Sequence, residues 1–160
     1  AHLGAEKAKR LFRNLNDNEV VIVPGNGPVR DEVARGSCLV GLTDTDDVWA
    51  GLRSEKPVAM IYPDQGTTQM GTLVIPNTVC KIAGAPHPEP ADELIEYLLS
   101  HETESVLAHS GSGQMPVRPG VAGPEDVPDM STIKAMDVSF EAIAAAMPAS
   151  GAFLRELFNR

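Results

Sequence analysis

The sequence predicts an α/β protein in which parallel or mixed sheets are flanked by helices. Short β-branched apolar runs alternate with helical periodicity over residues 20–55. The runs are punctuated by Gly, Pro, Asn and Asp, the residues that turn a chain. Apolar residues make up 42% and charged residues 22%, a balance that supports a packed globular core.

The first element is helical. Ala8, Leu11, Phe12 and Leu15 fall at i, i+3, i+4, i+7 spacing and define one apolar face over residues 5–15. Val20 to Val23 reads as a buried strand closed by Pro24-Gly25-Asn26-Gly27. Pro28 opens a helix that runs through Val33 and stops near Gly36, since a proline at the first helical position forfeits no hydrogen bond. Cys38 to Leu42 is a second strand, and Thr43-Asp44-Thr45 caps a helix from Asp46 to Arg53. Pro57 to Tyr62 and Thr72 to Ile82 read as further strands. Ala91, Leu94, Ile95, Leu98 and Leu99 define the next helical face, and Thr103 to Ala108 a short helix. Residues 110–128 are a Gly- and Pro-rich loop. Two tail helices follow, one carrying Met136, Phe140, Ile143, Ala144 and Met147, the other Phe153, Leu154, Leu157 and Phe158 beyond Pro148.

Charge narrows the partners. The formal net charge is −9, which repels nucleic-acid phosphates and anionic lipid and suits a protein that meets a cation. No apolar run has the length of a membrane span. The chain opens on Ala1 rather than Met, which suggests a processed or trimmed product. Cys38 and Cys80 sit in apolar runs and read as buried free thiols, too few for a disulfide framework.

The richest chemistry lies in Leu39 to Trp49, where Asp44, Asp46 and Asp47 gather with Thr43 and Thr45 beyond an expected strand. In open α/β sheets, ligands bind beyond the carboxyl ends of the strands. Helix capping accounts for one or two of these acids. Three within four residues repel one another unless something positive sits among them. A helix amino end normally attracts anions, and the carboxylates cancel that attraction. The turn therefore favours a hard metal ion or an organic ammonium. Asp44-x-Asp46 after a strand also fits the first motif of haloacid-dehalogenase-type, metal-dependent phosphatases, with Lys56 or Lys81 as the needed lysine. No second acidic pair after a buried strand accompanies it. His87, His101 and His109 lack metal-ligand spacing and read as surface residues. Trp49 either packs on the sheet or stacks on a ligand, and Ser110-Gly-Ser-Gly113 is a flexible loop rather than a phosphate cradle.

The order of the motifs R-D-E-V-A-R-G, G-L-T-D-T-D-D-V-W, V-A-M-I-Y-P-D-Q-G, G-T-L-V-I-P-N-T-V and G-A-P-H-P-E-x-A-x-x-L-I-x-Y-L-L-S resembles the second half of iron(III)/polyamine-type periplasmic solute-binding proteins of ABC transporters. The resemblance covers roughly residues 5–120 and the helical tail. It implies part of a type II periplasmic-binding-protein-like fold, a two-lobed clamp that closes on its ligand. Residues 1–60 would then be the remainder of the second lobe (βαβα), 61–71 the hinge crossing, and 72–160 the remainder of the first lobe with carboxyl-terminal bracing helices.

By the same resemblance the chain is a non-enzymatic carrier, periplasmic or extracellular and open to membrane tethering, that serves an ABC permease. Its ligand would be ferric iron or another metal ion, with a polyamine or thiamine-like cation as the alternative. The family's two iron-ligating tyrosines fall where this chain has Asp46 and Asp47, which become the expected metal ligands. Thr43, Asp44 and Thr45 complete the turn, and Tyr62, Met70, Gly71 and Thr72 are expected to line the cleft. In polyamine binders an acidic residue stands at the position of Gly71, so a metal is the better match. No cofactor is expected, since a metal enters only as transported cargo. The chain is about half the family length, so it reads as a fragment, as one half of a homodimer, or as a persisting sub-structure of the clamp.

Overall fold

In the computed structural model, residues 2–111 and 113–158 are described. Among them are six α-helices and one 3-10 turn, in two separate units. One unit comprises residues 1–23 and 136–160, the other 24–135.

The first unit pairs α1 (Ala5–Asp17) with α6 (Phe140–Leu157). Of the apolar face predicted for α1, Ala8, Phe12 and Leu15 are half-buried and Leu11 is exposed. Across the pair, the Lys9 ammonium and the Arg13 guanidinium lie 6.0 and 5.4 Å from the centre of the Phe153 ring, within cation–π range. Ser139 caps α6 by accepting a hydrogen bond from the Ala142 amide at 3.1 Å. The two tail helices expected from sequence are one continuous helix. Pro148 lies inside it, where it removes one ladder hydrogen bond without ending the helix.

The second unit holds α2 (Asn26–Ala34), α3 (Thr45–Arg53), α4 (Pro88–Leu98), α5 (His101–Ala108) and the turn Met130–Thr132. Helices α2 and α3 pack closely. A methyl group at Gly51 would come within 2.6 Å of the Arg30 Cδ, so the bare backbone of α3 is what lets the Arg30 stem lie across it. Helices α4 and α5 meet at a corner where Ser100 caps α5 through the Thr103 amide at 3.1 Å and Thr103 Oγ1 donates to the Tyr97 carbonyl at 2.7 Å. Among the described residues the buried hydrophobic side chains are few, Val48, Ala108, Val121 and Val127, and the polar Thr103 is buried with them.

The expected α/β sheet architecture is overturned. The runs at 20–23, 38–42, 57–62 and 72–82 form no sheet, and the one bridge among the described residues joins Thr72 to Ala135 in parallel. A strand exists only through a neighbour that takes its hydrogen bonds, and β-branched composition does not supply one. Here many apolar side chains of these runs face outward. Leu39 is 94% exposed, Ile61 84% and Ile75 74%. The predicted burial of the thiols fails for the same reason, since Cys38 is half-buried and Cys80 exposed. No helix is long and apolar enough to cross a membrane among the described residues.

Candidate functional site

The acidic turn is built by the start of α3 against the start of α2. Asp44 is the N-cap of α3, in extended backbone, and Asp46 and Asp47 occupy its first turn. One carboxylate oxygen from each of the three lies within 4.8 Å of the others. Asp44 is exposed, while Asp46 and Asp47 are half-buried. The Asn26 side-chain amide donates to Asp44 Oδ2. Thr43 Oγ1 donates to the Asn26 carbonyl at 3.1 Å and ties the turn to the first residue of α2.

Electrostatics mark this cluster as short of positive charge. Burial raises the Asp46 pKa, and the Asp44 carboxylate beside it, through a shared hydrogen bond and its charge, raises it further. Burial also raises the Asp47 pKa, with the charge of Asp44 adding to it. Like charges this close favour a proton or a cation among them.

One positive group already approaches. Arg30 of α2 donates from Nη1 to the Asp47 carbonyl at 3.2 Å and lies 3.5 Å from Asp47 Oδ1. Its side chain is 15% exposed. The same guanidinium donates from Nε to Asp31 Oδ1 at 2.9 Å, and Lys56 Nζ reaches that oxygen at 2.5 Å. Hydrogen bonds from Arg30 and then Lys56 hold the Asp31 pKa down at about 2. Lys81 pairs with Asp92 at 2.6 Å. Both lysines weighed for a phosphatase are thus engaged with other carboxylates.

The remaining sequence-selected residues lie elsewhere in the unit. Tyr62 is half-buried, which raises its pKa, and its hydroxyl sits 4.0 Å from the Met115 sulfur. Met70 is half-buried, and Gly71 and Thr72 close a turn around Lys134. Thr72 donates its amide to the Lys134 carbonyl at 2.8 Å. Gly71 has φ of +90°, and a methyl group there would come within 2.7 Å of the Ala135 backbone. Lys134 Nζ fills the turn, donating to the carbonyls of Gly66, Thr67 and Gln69 at 2.8, 3.0 and 2.5 Å. These contacts do not join Met70, Gly71 or Thr72 to the acidic turn.

Trp49 packs under the 113 position, where a methyl group would touch its ring at 2.6 Å, and Arg53 lies 5.7 Å over the ring centre. Its buried indole N–H has no hydrogen-bond partner among the described residues. His87, His101 and His109 are exposed. Sequence reading missed Arg30 and Asn26. The R-D-E-V-A-R-G motif contains Arg30, but a contact 17 residues away in sequence leaves no local signal.

Comparison with known proteins is consistent with a carrier. A family model described as bacterial extracellular solute-binding protein matches residues 2–112. The chain belongs to this family of solute-binding proteins, which serve ABC importers through a membrane permease and act outside the cytoplasm. Its members are in general not enzymes. No curated protein and no solved structure matches the chain.

Proposed function

We propose that the chain captures a small cationic solute at Asp44, Asp46 and Asp47 and presents it to an ABC permease. The observation that carries this reading is the convergence of three carboxylate oxygens within 4.8 Å. Burial and mutual repulsion raise Asp46 and Asp47, which is the electrostatic state that a bound cation relieves. Carboxylate and hydroxyl oxygens favour a hard ion, so ferric iron or another hard metal is the first solute to test. An organic cation is the second, and the approach of Arg30 to Asp47 favours it by leaving fewer free oxygens for a metal.

Self-association is part of the same proposal, because Leu39, Val40, Leu42, Ile61, Ile75 and Ile82 are each exposed and exposed apolar side chains favour a contact that covers them. Light scattering that finds only monomer removes the homodimer.

The cation reading is tested by calorimetry with Fe³⁺, Ca²⁺, putrescine and thiamine on the wild-type chain and on the Asp46→Ala/Asp47→Ala double variant. Trp49, the single tryptophan, sits in the same helix and reports binding by fluorescence. Heat that appears for one cation and vanishes in the double variant supports the site. Equal heats for both proteins remove the acidic turn from it.

A further inference from the structure

A cavity of about 540 Å³ opens in the second unit, a volume in the range of small-molecule sites. Two non-helical stretches, residues 74–79 and 114–118, supply much of its wall, and α4 and α5 add Leu98, Leu107 and Ala108. Leu98, Leu99, Leu107 and Val117 line the cavity and yet remain exposed to solvent. Apolar side chains scattered singly over a surface need no occupant. Four gathered on one concave wall mark a place that an apolar body covers.

The charged residues of the wall, Glu104 and Arg118, are paired with each other at 3.2 Å. Burial alone would raise the Glu104 pKa. The amides of Val117 and Arg118, at 2.8 and 3.0 Å, together with the Arg118 guanidinium, bring it below its ordinary value instead. Arg118 also donates from Nη2 to the Leu99 carbonyl. The cavity therefore offers an ionic ligand no unmatched charge.

Polar capacity is left at one place. Asn77 Nδ2 donates to Gln114 Oε1 at 3.0 Å and joins the two stretches. Each amide side chain has two donors and one acceptor group. This single bond leaves the Asn77 carbonyl oxygen and the Gln114 amino group without a partner among the described residues. An acceptor and a donor side by side fit a neutral group that both donates and accepts. We propose that the cavity binds a small neutral molecule with a hydrocarbon body and one such polar end. The body lies against Leu98, Leu107 and Met115, and the end meets the Asn77–Gln114 pair. The inference goes beyond the cation reading and does not depend on it.

The test titrates the whole chain by calorimetry with butanamide, hexanamide, hexanoate and hexylammonium. Affinity is expected to rise about fourfold for each methylene added between the two amides, the gain for burying one such group. Hexanoate and hexylammonium are expected to bind more weakly than hexanamide. Val117→Asn and Leu107→Asn, both at exposed positions of the wall, are expected to weaken hexanamide and flatten the chain-length dependence. Asn77→Ala is expected to weaken it about fivefold, the loss of one hydrogen bond. The Asp46→Ala/Asp47→Ala double variant is expected to bind hexanamide as the wild type does, which separates this site from the acidic turn. Equal affinity for butanamide and hexanamide, or a charged probe that binds as tightly as hexanamide, overturns the inference. So does hexanamide binding that survives both wall variants or is lost in the double aspartate variant. A wild-type chain that takes up no neutral probe overturns it too, and a dimer in light scattering that Val117→Asn dissolves would then name a second copy as the occupant.

Discussion

Arg30 of α2 clasps Asp47 of α3, with Nη1 3.2 Å from the Asp47 carbonyl oxygen and 3.5 Å from its carboxylate. The clasp does two things at once. It fixes the first turn of α3 against α2, and it supplies one positive charge to a cluster of three negative ones. Arg30→Met keeps most of the stem that lies over Gly51 and removes the charge. Its expected result is a lower melting temperature by circular dichroism, because Asp31 and Asp47 lose a partner, together with tighter cation binding, because Asp47 is released. Arg30→Lys should recover little of the stability, since an ammonium cannot bridge two groups as the planar fork does. Lower stability with unchanged affinity would confine Arg30 to holding the fold.

The site and the clasp respond to acid at different pH. Asp46 and Asp47 have pKa values above the ordinary carboxylate value of about 3.9. Their raised values mean that ionising them opposes folding at neutral pH, and that protonation relieves this as the pH falls through them. A cation competes with those protons, so its affinity should decline as the pH drops toward their raised values. Asp31 works the other way. Its pKa is lowered to about 2, so its stabilisation is present above the unfolded value of about 3.9 and is lost only as the pH falls toward 2. Between these limits the protein should remain folded and stop binding. Calorimetry and circular dichroism over one pH series read both. Loss of fold and loss of binding at the same pH would refute the separation.

Local features of this chain were legible in the sequence, and remote pairings were not. The face of Ala8, Leu11, Phe12 and Leu15 announces α1, because a helix makes its hydrogen bonds within itself. Asp44, Asp46 and Asp47 are legible at the start of α3 for the same reason, and one carboxylate oxygen from each lies within 4.8 Å of the others. The runs around Leu39, Ile61 and Ile75 have strand composition, but pairing depends on segments far away in sequence, and among the described residues only Thr72 and Ala135 form a bridge. Arg30 and Asn26 reach Asp47 and Asp44 across 17 and 18 residues, a separation that no periodicity encodes.

The cap of α6 is a local device with a local consequence. Ser139 Oγ accepts from the Ala142 amide at 3.1 Å, which satisfies one of the free N–H groups at the start of the helix. Ser139→Ala should cost about 1 kcal/mol, and Ser139→Asp should retain most of that. Thermal unfolding of the two variants measures the difference. Cation binding by the second unit should be the same in both.

Lys134 supplies the sharpest test of how the 63–72 turn is held. Its ammonium donates to three carbonyls, those of Gly66, Thr67 and Gln69, and its backbone joins Thr72. Gln65 adds to the clamp, with its Oε1 accepting from the Lys134 amide at 2.8 Å and its Nε2 donating to the Lys134 carbonyl at 3.2 Å. Lys134→Met leaves three carbonyl oxygens without their donor while keeping the side-chain length. Hydrogen bonds from a charged donor contribute roughly 1.5–3 kcal/mol in favourable settings, and half-exposure lets water replace part of this, so a loss of about 1–2 kcal/mol is expected. Amide exchange should speed up at Gly71 and Thr72, whose N–H groups are held in this turn at 3.0 and 2.8 Å by Asp64 and Lys134 carbonyls. Unchanged exchange at both amides would show that the backbone bridge to Ala135 holds the turn without the ammonium.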